Sequence, residues 1–184
     1  MNKFIKTGAL VILGAIGLLL FILYATVKTK STGLNSYEPF KALIGKTLVL
    51  NKETQLFIDQ VTLVRDAEFP YMLMDDLHPD WAYYQECKDL PQVKIEEVLS
   101  LPKGTEFHVQ KAVQYTTGVA GSSHPTLYGS IQYRGKTYQV AYRWGQRDSN
   151  KAYSKTDKYW KFHQAPWQDK PDTASYALPI AKVW

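Results

Sequence analysis

The hexapeptide DDLHPD brings Asp75, Asp76, His78 and Asp80 together. Carboxylates and an imidazole of this kind can ligate a divalent cation. The regular alternation of oxygen ligands and the glycine of a calcium loop are missing, however, and zinc sites usually draw on several histidines or cysteines. The expectation is a solvated acidic turn with no metal. Cys87, in YQECKDL, is the chain's one cysteine. Paired with His108, His124 or His163 it would supply a thiol nucleophile and its base, but a lone cysteine is more often a small packed hydrophobe. No catalytic residue is assigned. His124 lies in GVAGSSHPT, a Gly/Ser-rich stretch without the spacing of a phosphate-cradling loop, and it reads as part of a mobile loop.

A second stretch has a different chemistry. KAYSKTDKYWKFHQAPW interleaves aromatic and basic side chains, a mixture that offers large contact area together with long-range attraction. Tyr153, Lys158, Tyr159, Trp160, Lys161 and Trp167 form the predicted partner-binding surface. The competing reading is that the rings cover one end of a β domain while the lysines stand in water. By contrast the row in YGSIQYRGKTYQVAYRWG alternates strictly. Leu127, Gly129, Ile131 and Tyr133 share one face, as do Tyr138, Val140, Tyr142 and Trp144. This predicts a β-hairpin turning at Arg134–Gly135 with one buried face.

Other elements must position these groups. KTLVLN and QLFIDQVTLVRD carry strand formers. KIEEVLSL places Ile95, Val98 and Leu99 at helical spacing and predicts a short helix ended by Pro102. A strand follows through Phe107 and Val109, and YALPIAKVW could close the sheet, with Pro179 at an edge or bulge. At the N-terminus, Thr7 to Val27 contains no charged residue and lies between lysines. A helix of that length reaches roughly 30 Å, the thickness of bilayer hydrocarbon, and no small-x-small cleavage site ends it. The expected organisation is a transmembrane anchor over 1–30, a linker over 31–39 and an extracytoplasmic domain over 40–184. The N-terminus would be cytoplasmic, at a bacterial inner membrane, with the domain in the periplasm.

Charge divides the remainder. Six basic residues face twelve acidic ones between Ser31 and Ser100, whereas twelve face five from Leu101 to Trp184. The basic residues are scattered among acids, which argues against nucleic acid as a partner. Nothing in the pattern calls for a small-molecule cofactor.

The phrase LPKGTEFHV, through Leu101, Pro102, Gly104 and Thr105, resembles bacterial SH3-like domains of the cell envelope, loosely over residues 44–145. The resemblance implies a small, strongly bent barrel that binds peptides, cell-wall fragments or proteins, and it carries over no binding residue. The fold class expected is therefore mainly β: a transmembrane helix, then a small SH3-like barrel or strongly bent antiparallel sheet with a short helix. The function expected is a membrane-anchored, non-enzymatic protein-binding module. An immunity or inhibitor protein against an envelope-acting toxin fits that description. The alternatives are an accessory subunit of an envelope assembly or secretion complex and a peptidoglycan-binding protein.

Overall fold

The computed structural model describes residues 3–60, 66–90, 92–118, 122–148 and 156–179. Helix α1 (Lys3–Val27) leads into strand β1 (Lys30–Gly33). After a 3-10 turn at Phe40–Ala42 come β2 (Thr47–Val49), β3 (Thr54–Asp59) and β4 (Tyr71–Met74), then helix α2 (Trp81–Cys87). The chain continues through β5 (Ile95–Leu101), β6 (Glu106–Thr116), β7 (Ser123–Tyr133), β8 (Lys136–Arg143), β9 (Gln146–Arg147) and β10 (Trp160–Lys161).

Eight strands make one mixed sheet in the order β1-β6-β7-β8-β4-β3-β5, with β2 also on β6, and β9 and β10 pair separately. All pairs in the large sheet are antiparallel except β4 with β8, where Tyr71 lies opposite Val140. The ends of this order are β1 and β5, and they do not meet. The expected SH3-like barrel is thus corrected to an open mixed sheet with two helices.

The hairpin forms, with Leu127 opposite Tyr142 and Ile131 opposite Tyr138, but it does not have the single buried face expected, since Tyr128 and Ala141 on its other side are buried too. Its turn is Arg134–Gly135, both at positive φ (51° and 74°), the geometry that matches the right-handed twist of the flanking strands. In the Gly/Ser-rich stretch GVAGSSHPT, residues 119–121 lie outside the described residues.

Burial on both sides of the sheet explains why other segments were harder to read. On one face Leu56, Leu73, Leu127, Val140 and Tyr142 pack beneath Phe40 and the C-terminal segment. On the other face Phe57, Met72, Tyr128 and Ala141 pack beneath α2 through Tyr84 and Cys87. A strand covered on both faces loses its alternation; adjacent Leu56 and Phe57 are both fully buried. In β5 a bulge adds to this. Leu56 pairs with Leu99 but Phe57 with Glu97, so Val98 is the extra residue and the two-residue period slips by one. That slip produces the helix-like spacing of Ile95, Val98 and Leu99, and the short helix predicted there is a strand.

The N-terminal region requires a second correction. Among the described residues, no helix is long and apolar enough to cross a membrane. The single-pass anchor over Thr7 to Val27, the membrane as partner and the inner-membrane location inferred from it are therefore not supported. Immediately beyond the helix, within the stretch read as a linker, β1 is hydrogen-bonded to β6, with Ser31 opposite Tyr115, and Leu34 is fully buried.

Candidate functional site

The acidic hexapeptide is a solvated turn only in part: Asp76, Leu77 and Pro79 are exposed. Asp75 is fully buried and His78 is 4% exposed, because β4 runs beside β8 in the middle of the sheet and delivers them to its interior. Asp75 faces Tyr142 of β8, whose phenol oxygen lies 3.4 Å from Asp75 Oδ1 and 3.0 Å from His163 Nε2. Asp75 Oδ2 makes no hydrogen bond and sits 3.6 Å from Lys52 Nζ, which also pairs with exposed Asp76. A polar chain therefore runs from His163 through Tyr142 and Asp75 to Lys52. Burial raises the Asp75 carboxyl above its ordinary range, opposed by Lys52. It also lifts the Tyr142 phenol well above 10. His163 is pushed down to about 3, chiefly by burial and then by neighbouring His78.

His78 is fixed from both ring nitrogens. The Asp80 backbone N–H donates to Nδ1 at 3.1 Å, so the ring proton sits on Nε2 and is donated to the Arg143 carbonyl at 3.0 Å. Both nitrogens are occupied by the protein itself. Among the described residues no group of three His, Cys, Asp or Glu could hold a metal ion.

His78, Asp80, His124, Arg143, Arg147 and His163 share a cavity of about 330 Å³. His124 is the second residue of β7, opposite Tyr115 of β6, so it belongs to a strand and not to a mobile loop. Gly145 allows the wall to close: its φ is +114°, and a Cβ there would meet the Phe162 ring at 2.7 Å. Ser122 and Ser123 also line the cavity, but their hydroxyls are bonded to Thr117 and Thr116, at 2.8 and 2.9 Å. No serine–imidazole hydrogen bond occurs among the described residues. Cys87 is buried against the α2 core.

The predicted aromatic-basic surface divides on inspection. Tyr153 lies outside the described residues. Trp160 is 1% exposed, and Trp167 packs on Phe107, Tyr142 and Trp144, with ring centroids 5.9, 5.0 and 5.6 Å away. Trp160 thus belongs to the core and cannot present its ring to a partner, because the segment lies across a sheet face that must be covered. Tyr159 is partly buried and stacks on Trp160. Lys158 is exposed, and exposed Lys161 is paired with Asp148 at 2.8 Å.

The exposed apolar side chains lie elsewhere. Among the described residues outside α1 the large ones are Tyr37, Val49, Leu77, Tyr83 and Leu90, and the last three cluster in sequence around α2. Tyr83 and Glu86 lie three apart on α2, and Leu90 follows in the turn beyond its end. Exposed Asp76, Glu86 and Asp89 lie among them. Sequence reading passed over this face because α2 is a short helix with an aromatic run, WAYY, and period alone does not say which rings point inward.

No protein family, no curated protein and no solved structure matches this chain.

Proposed function

We propose that the chain is a non-catalytic protein-binding module, in the manner of an immunity or inhibitor protein, and that its partner docks on the outer face of α2. The observation that carries this reading is the exposure of Tyr83, Leu77 and Leu90 at 49%, 45% and 40% among the carboxylates of Asp76, Glu86 and Asp89. An apolar and aromatic centre with charge around it is the usual make-up of an interface hot spot. The sign of that charge selects a basic partner surface and speeds encounter with it. Aromatic rings exposed at this level lose water on docking without first having to leave a core, so binding needs no unfolding of the module.

The reading carries no membrane anchor and no compartment. Its test is affinity capture with the wild-type chain beside Tyr83→Ala and Glu86→Lys variants, followed by mass spectrometry. A basic protein retained by the wild type and lost from both variants, at unchanged melting temperature, supports it. Equal retention by all three removes the α2 face as the docking surface. An inhibitor then silences the captured partner's activity at one-to-one stoichiometry, whereas the alternative, an accessory subunit of an assembly, leaves that activity intact.

A further inference from the structure

The cavity between β7, β8 and β9 is separate from the outer face of α2 and has its own chemistry. Two guanidinium groups, Arg143 and Arg147, reach it against one carboxylate, Asp80. Arg147 is held over the faces of Tyr159 and Trp160, 5.3 and 5.7 Å from the ring centroids. Stacking of this kind fixes the guanidinium plane and leaves the N–H edge for bidentate contact with oxygen. Arg143 is ion-paired with Asp80, Nη1 to Oδ2 at 3.7 Å, and its planar fork has five N–H donors in all. His78 has both ring nitrogens occupied and serves as wall, while His124 is the most exposed of the three imidazoles.

We propose that this cavity binds a small oxyanion, a phosphate- or sulfate-like group, between the guanidinium groups of Arg143 and Arg147 and the imidazole of His124. The volume of about 330 Å³ is at the lower end of ligand-site sizes, room for a compact group and not for a folded segment. Positive charge exceeds negative on the wall even with every imidazole neutral, so a cation is disfavoured. An anion is balanced by that excess of positive charge and is not buried as an unpaired ion.

Occupancy is coupled to a proton. The groups facing His124 across the cavity are Asp80, His78, Arg143, Arg147 and His163. Partial burial and the positive charge of Arg143 hold the His124 imidazole below its usual pKa, opposed by Asp80. An anion seated among these groups reverses the Arg143 contribution and stabilises the imidazolium, which donates from both ring nitrogens. Binding therefore takes up a proton and tightens as pH falls through the range in which His124 titrates.

The experiment is calorimetric titration of the full chain with sodium sulfate, at ionic strength held constant with chloride. Sulfate keeps its charge between pH 6 and 8, so any pH dependence belongs to the protein. One saturable site is expected, severalfold tighter at pH 6 than at pH 8. The heat should change between buffers of different ionisation enthalpy, as proton uptake requires. Arg147→Gln should weaken binding at least about tenfold, the value of one charge-assisted hydrogen bond. His124→Gln should retain the pH 8 affinity and lose its rise at pH 6. Melting temperatures without sulfate establish that both variants fold. Should Arg147→Gln fail to fold, Arg147→Lys, which keeps the charge and loses the fork, takes its place with the same expected direction. Absence of a saturable heat, or wild-type affinity in the arginine variant, overturns the proposal, and a pH-independent affinity in the wild type overturns the assignment of His124. Titration with inorganic phosphate then distinguishes a phosphate site, with tighter binding than sulfate, from a general oxyanion site with equal binding. A preference for sulfate overturns the phosphate assignment.

Discussion

The two faces of one sheet are covered by segments of similar composition and opposite use. The cover from Tyr159 to Leu178 turns its rings inward: Trp160, Phe162 and Leu178 are buried in the larger core cluster beside Trp144. The cover made by α2 buries Tyr84 and Cys87, lays Trp81 partly against Phe57 and leaves Tyr83, and Leu90 just beyond the helix, in water. Both mix aromatic and charged residues, so composition does not separate them. Geometry does. An extended segment lying across a sheet can point most of its rings at the core, whereas a two-turn helix has an outer face that cannot reach it. Tyr83 on that outer face touches the edge of Tyr84 and still keeps half of its surface in water, which makes it the better candidate for a partner outside the fold.

The largest expected effect tests the inward cover. Trp160→Ala removes a fully buried ring and should cost about 3–5 kcal/mol, measured by denaturant unfolding. A loss below about 1 kcal/mol, the size of ordinary surface changes, would return Trp160 to the surface and break the contrast.

The same cover contains His163, and acid should expose it. Its pKa in the folded chain is about 3, against 6.5 without the fold. Between those values the unfolded chain binds more protons, so stability is fully present above about pH 6.5 and is lost as pH falls toward 3. His78 and His124 are shifted in the same direction. Asp75, raised above 3.8, acts the other way: its contribution is present at low pH and is lost as pH rises through its raised pKa. The melting temperature should therefore drop between pH 7 and pH 4.5, and the drop should be smaller in His163→Gln. An identical drop in the variant would mean that His163 titrates normally.

Gly145→Ala sharpens the comparison at the seam where Phe162 enters. It places a Cβ 2.7 Å from the ring at a φ of +114°, and strain of this kind costs on the order of 1–3 kcal/mol. Thermal unfolding of this variant beside Gly135→Ala separates the two causes, since a Cβ at Gly135 meets nothing within 4 Å and suffers only the backbone penalty.

The smallest stability effects belong to α2. Tyr83→Ala and Leu90→Ala should change stability by no more than about 0.5 kcal/mol and still abolish partner capture. Glu86→Lys with Asp89→Lys should slow association and reduce its salt dependence. Lys158→Glu should leave capture unchanged. A loss of capture with Lys158→Glu and not with Tyr83→Ala would exchange the roles of the two covers.

Two features were legible in the chain. The β7–β8 hairpin follows from a two-residue period on either side of a glycine turn, and a packed Cys87 follows from the habit of a lone cysteine to act as a small hydrophobe. The short helix assigned to Ile95, Val98 and Leu99 failed because a bulge imitates helical spacing, and a bulge exists only opposite a partner strand. The barrel failed for a related reason: closure depends on whether the first and last strands of the order meet, which local turn signals such as LPKGT do not encode.

The site was the least legible part. Asp75, Tyr142 and His163 lie far apart in sequence and each looks unremarkable in its own segment: an acidic turn, a tyrosine row, a basic stretch. The sequence by itself determined the strong preference for strands, the position of one tight turn and the unequal division of charge, since each depends on neighbours a few residues away. The tertiary structure alone decided which rings were core, that a carboxyl from an acidic turn was buried beside a phenol, and which histidines shared a cavity with two arginines. Those outcomes depend on the pairing of β4 with β8 in parallel and on which segment covers each sheet face, and burial and electrostatic environment are set by such long-range neighbours.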